Sequence, residues 1–150
     1  MTRKETAMNY FKDGYNCSQS VVLAFADLLP IDKSNLMKIS CSFGGGVGRL
    51  REVCGSVSGM AMVLGLLYGF DNNETGDVKK EHYERIQEVA RSFEEKNGSI
   101  VCRELLNLSQ KHDDPAPEAR TSEYYKKRPC VELVGDAAEI LEEYIKANPV

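Results

Sequence analysis

A chain of 150 residues with 42% apolar and 28% charged side chains is long enough to bury one core and too apolar to stay disordered. Its net charge of −4 argues against a polyanionic partner, so neither nucleic acid nor an acidic membrane surface is expected. The opening MTRKETAMNYFKDGYN carries no apolar export segment, which makes the cytoplasm the expected compartment.

The periodic segments have helical spacing. Residues 2–12 read as a first helix, and Asn16 as the cap of a second that Pro30 ends. In that second helix Val21, Phe25 and Leu28 line one face, with Val22 and Leu29 at its edge. A short third helix runs from Lys33 to about Ser42, with Leu36 and Ile39 inward and Cys41 packed at its end. The loop SFGGGVGR follows. Arg49 and Arg51 stand beside it, but it has no Walker lysine and no preceding strand, so it reads as a tight turn rather than a nucleotide cradle.

Val53 to Phe70, VCGSVSGMAMVLGLLYGF, reads as a buried central helix. Val57 to Phe70 is too short and glycine-rich for a membrane span. A glycine inside a helix costs roughly 0.5–1 kcal/mol relative to alanine. At 100° per residue, Gly55, Ser58, Gly59, Gly65 and Gly69 share one sector. Such a face admits the close approach of another helix, a second copy of the chain, or a bound group at Gly55 and Gly59.

From Asp77 to Asn97 an amphipathic helix carries Val78, His82, Ile86, Val89 and Phe93 on one stripe, with His82 expected as a core histidine. Ser99 caps a short helix through Leu108. A polar, proline-bearing loop covers residues 109–125. Pro129 opens a last helix with Val131, Val134, Ala138, Leu141 and Ile145 inward. No alternating strand pattern is sustained. The expected fold is all-α, one domain of about six helices around the buried glycine-rich helix.

Four of the five cysteines fall at helix starts: Cys17 after Asn16, Cys54 at the head of the central helix, Cys102 after Ser99, and Cys130 after Pro129. A helix N-terminus favours the thiolate and so makes a cysteine nucleophilic, oxidisable and metal-binding. Cys54, heading the longest apolar run, is the expected attacking thiolate. No spacing is C-x-x-C, so the fold must assemble any site.

The blocks GYNCSQSVVLAF (14–25), FGGGVGR (43–49), CGSVSGMAMVLGLLYG (54–69) and CRELL (102–106), with Cys130, occur in one order over about residues 10–145. In that order they resemble the redox-active family named for its C_GCAxxG_C_C pattern. Ser56 stands where the family has alanine. The resemblance implies that Cys17, Cys54, Cys102 and Cys130 are the signature cysteines, with Cys41 outside the pattern.

Two functions from different classes follow. In the first, the four cysteines converge as a redox site. They act either by thiol/disulfide exchange with an electron-transfer or thiol partner, or as ligands of a metal ion or iron–sulfur cluster. In the second, the chain is a helical binding or assembly module, a homodimer for instance, and the cysteines are structural.

Overall fold

The computed structural model describes residues 1–73, 75–109 and 113–150; part of the polar loop, including His112, lies outside the described residues. Thr2 and Asn16 start α1 (Arg3–Lys12) and α2 (Cys17–Leu23) through reciprocal capping boxes with Glu5 and Gln19. A 3-10 turn (Ala26–Leu28) leads to α3 (Lys33–Ser40), which Asp32 caps by accepting the Asn35 N–H. A second 3-10 turn (Cys41–Phe43) and α4 (Gly44–Val47) carry the glycine loop. The central helix is α5 (Gly55–Tyr68), followed by α6 (Gly76–Asn97), α7 (Cys102–Leu105), α8 (Ser122–Lys127) and α9 (Cys130–Ala147).

Among the described residues there is no strand, and the one isolated β-bridge joins Val53 to Val101. The fold is therefore the expected all-α single-domain bundle. It has more helices than expected, because the glycine loop and residues 122–127 each add a short one. No helix is long and apolar enough to cross a membrane among the described residues.

The core lies where α1, α2, α5 and α9 meet. Phe11, Phe25, Met60, Leu64, Val134 and Leu141 are fully enclosed there. Burying side chains of that size stabilises the fold by roughly 1.5–3 kcal/mol each. Beside the core, Asp136 of α9 meets Lys4 of α1 at 3.5 Å and Lys96 of α6 at 3.3 Å, so one carboxylate joins three helices.

Several sequence expectations need correction, each for a local reason. The second helix stops at Leu23 and tightens into the 3-10 turn. That change of period turns Leu28 outward, to 42% exposure, and brings Leu29 in, to 8%. In α3 only Leu36 and Ser40 are buried, and Ile39 is exposed, because so short a helix covers the core with one row of side chains. Cys41 is exposed, and its thiol donates to the Lys38 carbonyl at 3.1 Å rather than packing inward. On α6 only Val89 and Phe93 are buried; Val78 is exposed and His82 half-buried, so the N-terminal half of that helix extends past the core.

The glycines of α5 do not share one role. A Cβ on Gly59 would lie 2.9 Å from Val21 Cβ and 3.1 Å from the Ser18 carbonyl. A Cβ on Gly55 would lie 2.7 Å from the Phe43 carbonyl. Those two positions seat α2. Gly65 faces open space, and Gly69 is the helix's extended C-cap. The close neighbour of the small face is thus a helix of the same chain.

Candidate functional site

A cavity of about 250 Å³ opens where the starts of α2, α5, α7 and α9 meet, and Cys17, Cys54, Cys102 and Cys130 all line it. Each thiol is set there by backbone bonds. Asn16 accepts the Gln19 N–H at 3.0 Å and donates from Nδ2 to the Cys41 carbonyl at 3.0 Å, which places Cys17 at the first position of α2. Cys54 donates its N–H to the Ile100 carbonyl at 2.8 Å, and Cys102 donates to the Glu52 carbonyl at 2.6 Å. This short antiparallel pairing lays the head of α5 beside the head of α7. Cys130 follows Pro129, the N-cap of α9. Gly55 also lines the cavity, whereas Gly59 is covered by Val21.

The basic lining is the part that sequence reasoning missed. Arg49, Arg51, Arg120 and Arg128 all reach the cavity, with Glu118 facing them. Arg51 is 4% exposed; its Nη2 donates to Asp113 at 2.9 Å and its Nη1 points to Cys102 Sγ at 3.5 Å. Arg120 donates to the carbonyls of Phe11 and Tyr15 and lies 3.9 Å from the Phe11 ring centroid. Arg128 pairs with Glu118 through Nη2, while its Nη1 is buried and has no hydrogen-bond partner among the described residues. Arg49 ends the glycine block and Arg51 follows two residues later, but Arg120 and Arg128 lie in or beside the aperiodic polar loop. The one sequence signal for Arg128 is its place two residues before Cys130.

Burial, not the helix dipole, decides the state of most of these thiols. Desolvation pushes the Cys54 thiol up to about 11, against the opposing pull of the Ser56 N–H. Cys102 is also raised by burial, with Arg51 opposing. Cys17 is raised well above the ordinary thiol value, first by Cys130, whose sulfur takes negative charge more readily, and then by burial. Cys130 is correspondingly lowered, first by Cys17 and then, against its own burial, by Arg128, Tyr124 and Arg51. Cys54 is therefore a protonated wall residue near neutral pH. Burial thus works against the thiolate form that the attacking role expected of Cys54 requires.

The redox and metal expectations are corrected as well. All five cysteines are free. Their closest approach is 4.3 Å, about twice the roughly 2 Å of a disulfide bond, so no pair is set for thiol/disulfide exchange. Among the described residues no group of three or more His, Cys, Asp or Glu side chains is placed to hold a metal ion. Cys17, Cys54, Cys102 and Cys130 thus do not form the expected ligand set for a metal or an iron–sulfur cluster. The physical reason is the lining. The thiols are spread around a cavity wall, three of them keep their protons, and the Arg51 cation stands against Cys102, where a metal cation would be repelled.

The exposed Cys41 gives a first test. An aqueous disulfide reagent should modify one thiol of the native protein rapidly, and the others only as the fold opens. Replacing Cys41→Ala should remove that fast phase. A fast phase that survives the replacement would mean that one of the four signature thiols is open to solvent instead.

A family model described as "Putative redox-active protein (C_GCAxxG_C_C)" matches residues 15–144. No curated protein and no solved structure gives a match.

Proposed function

Since the chain belongs to the C_GCAxxG_C_C family, we propose that its four signature cysteines wall a ligand cavity, and that the protein is a cytoplasmic helical module that binds a small molecule. The observation that carries this reading is the cavity itself. It has a volume of about 250 Å³ and lies where four helix starts converge. It therefore rests on rigid elements, as small-molecule sites commonly do. A neutral thiol is a small, polarisable, weakly polar group, suited to line a cavity tightly without demanding a partner. Free thiols also suit a reducing compartment. The small face of α5 is taken by α2 of the same chain, which favours the cavity over that face as the place of binding.

The test is thermal stabilisation by a panel of small metabolites of mixed charge. A ligand of the native state raises stability by RT ln(1 + [L]/Kd), so its effect saturates in a defined way. At least one class should stabilise the protein. The effect should vanish in Leu133→Phe, which adds volume to the cavity wall. Three results would overturn the reading: no stabilisation by any member of the panel, equal stabilisation of Leu133→Phe, or a reversible internal disulfide formed by the signature cysteines in the intact fold.

A further inference from the structure

We infer that the cavity's ligand presents an oxyanion, a carboxylate or phosphoryl group, to Arg128 and the backbone of Gly45 and Gly46; this rests on the binding reading above and names its ligand class. Three independent features lead there. The first is charge. Four arginines line the cavity, and the acidic groups that the described residues pair with them there are Glu118 and Asp113, joined by Cys130 when ionised. Positive charge remains in excess in a partly enclosed space, where water screens it poorly.

The second is an unmet donor. Arg128 Nη1 is buried and has no hydrogen-bond partner among the described residues, although its Nη2 is paired with Glu118. Buried donors are almost always satisfied, and leaving one unpaired on a charged group is costly. A ligand oxygen would supply the missing acceptor, and the second oxygen of the same group matches the fork of a guanidinium.

The third is the glycine loop. Gly45 and Gly46 line the cavity, at the turn that carries α4. Both residues hold left-handed dihedral angles, with φ of 68° and 69°. Successive amides in such a left-handed turn point the same way and can present a concave donor surface that suits an anion. The remaining arginines have other work. Arg120 is held by the Phe11 and Tyr15 carbonyls, and Arg49 is bonded to the Asp114 carbonyl and to Asp113. The thiols, mostly protonated, add no strong repulsion to an incoming anion.

The experiment titrates the full chain with inorganic phosphate, acetate and acetamide, each against sodium chloride of equal ionic strength, and reads melting temperature and calorimetric affinity. Phosphate or acetate should stabilise saturably beyond chloride, and whichever is stronger identifies the phosphoryl or the carboxylate group. Arg128→Gln should weaken that binding by about ten- to a hundredfold, the range of one charge-assisted hydrogen bond. Glu118→Gln removes the carboxylate that competes for Arg128 and should tighten binding, a gain that misfolding cannot imitate.

Oxyanion binding unchanged in Arg128→Gln, or not tightened in Glu118→Gln, would overturn the inference. Acetamide stabilising as well as acetate would also overturn it while leaving the binding module standing. If no small molecule of either experiment stabilises the protein, both fall together.

Discussion

Gly59→Leu should lower the melting temperature by several degrees, whereas Gly65→Ala, less than two turns further along the same helix, should raise it. The two glycines look alike in the sequence, and their surroundings differ. A side chain at Gly59 begins 2.9 Å from Val21 Cβ and 3.1 Å from the Ser18 carbonyl. The carbonyl belongs to the α2 backbone and cannot turn aside. Ser18 is further tied by its hydroxyl to the Ser40 carbonyl at 2.6 Å. A leucine there must push α2 away from α5. Overpacking of this kind costs about 1–3 kcal/mol, and the upper end is expected where backbone must move. For a domain of this size that is a fall of roughly 5–10 °C.

Gly65 has nothing within 4 Å of its would-be Cβ, and its residue is exposed. Alanine there should add roughly 0.5–1 kcal/mol by restricting the unfolded chain. Thermal melts of the two variants decide it. Equal effects would mean that α2 does not rest on this face.

The same pair shows how far a sequence reading reaches. Helical spacing places Gly55, Gly59 and Gly65 in one sector, but spacing holds no information about where the neighbouring helix ends. The long stripes were legible because they depend on one period. In α9 Val131, Val134, Ala138 and Leu141 are all buried as the pattern requires. At Leu28 the same reasoning failed, because the chain changes from 3.6 to 3.0 residues per turn there and the inward direction moves to Leu29.

The candidate site divides the same way. Cys17 and Cys130 could be placed at helix starts from Asn16 and Pro129, since capping is local chemistry; Cys102 does open α7, but that helix has Val101 at its N-cap rather than the expected Ser99 and ends at Leu105. The protonation of the cysteines could not be read in this way, because it is decided by burial and by arginines distant in sequence. Arg51 reaches Cys102 across 51 positions, and Arg128 meets Glu118 through a loop with no periodicity. The competition between dipole and desolvation has no sequence signature, and at Cys54 desolvation prevails.

Gly46→Ala should be among the most damaging single-atom-scale changes in the chain, and more damaging than Gly48→Ala by about 1–3 kcal/mol. Both glycines hold left-handed dihedral angles, with φ of 69° and 56°. Each therefore charges an alanine about 1 kcal/mol for its backbone alone. This part of the loop is left-handed almost throughout: Val47 and Arg49 also have positive φ, at 68° and 66°, as does Arg51 at 60°. For a β-branched residue such as Val47 that conformation is disfavoured, and it persists because the surroundings impose it. The imposing bonds are visible. Arg51 and Glu52 donate their N–H groups back to the carbonyls of Gly45 and Gly46, at 3.1 and 2.9 Å.

What separates the two glycines is space. A Cβ at Gly48 meets nothing within 4 Å among the described residues. At Gly46 it would lie 2.7 Å from both Cys102 Cβ and the Glu52 nitrogen, and 2.9 Å from the Arg51 carbonyl carbon. Two of those atoms are backbone and the third roots a cavity thiol. Relief requires the loop to leave the head of α7, which would break the Cys102-to-Glu52 bond and move the cavity wall. Urea titration of both variants measures the difference, and thiol-reagent kinetics on Gly46→Ala should show Cys102 gaining reactivity as the wall opens. Equal losses of stability in the two variants, with Cys102 still protected, would mean that the glycine loop does not hold the cavity closed.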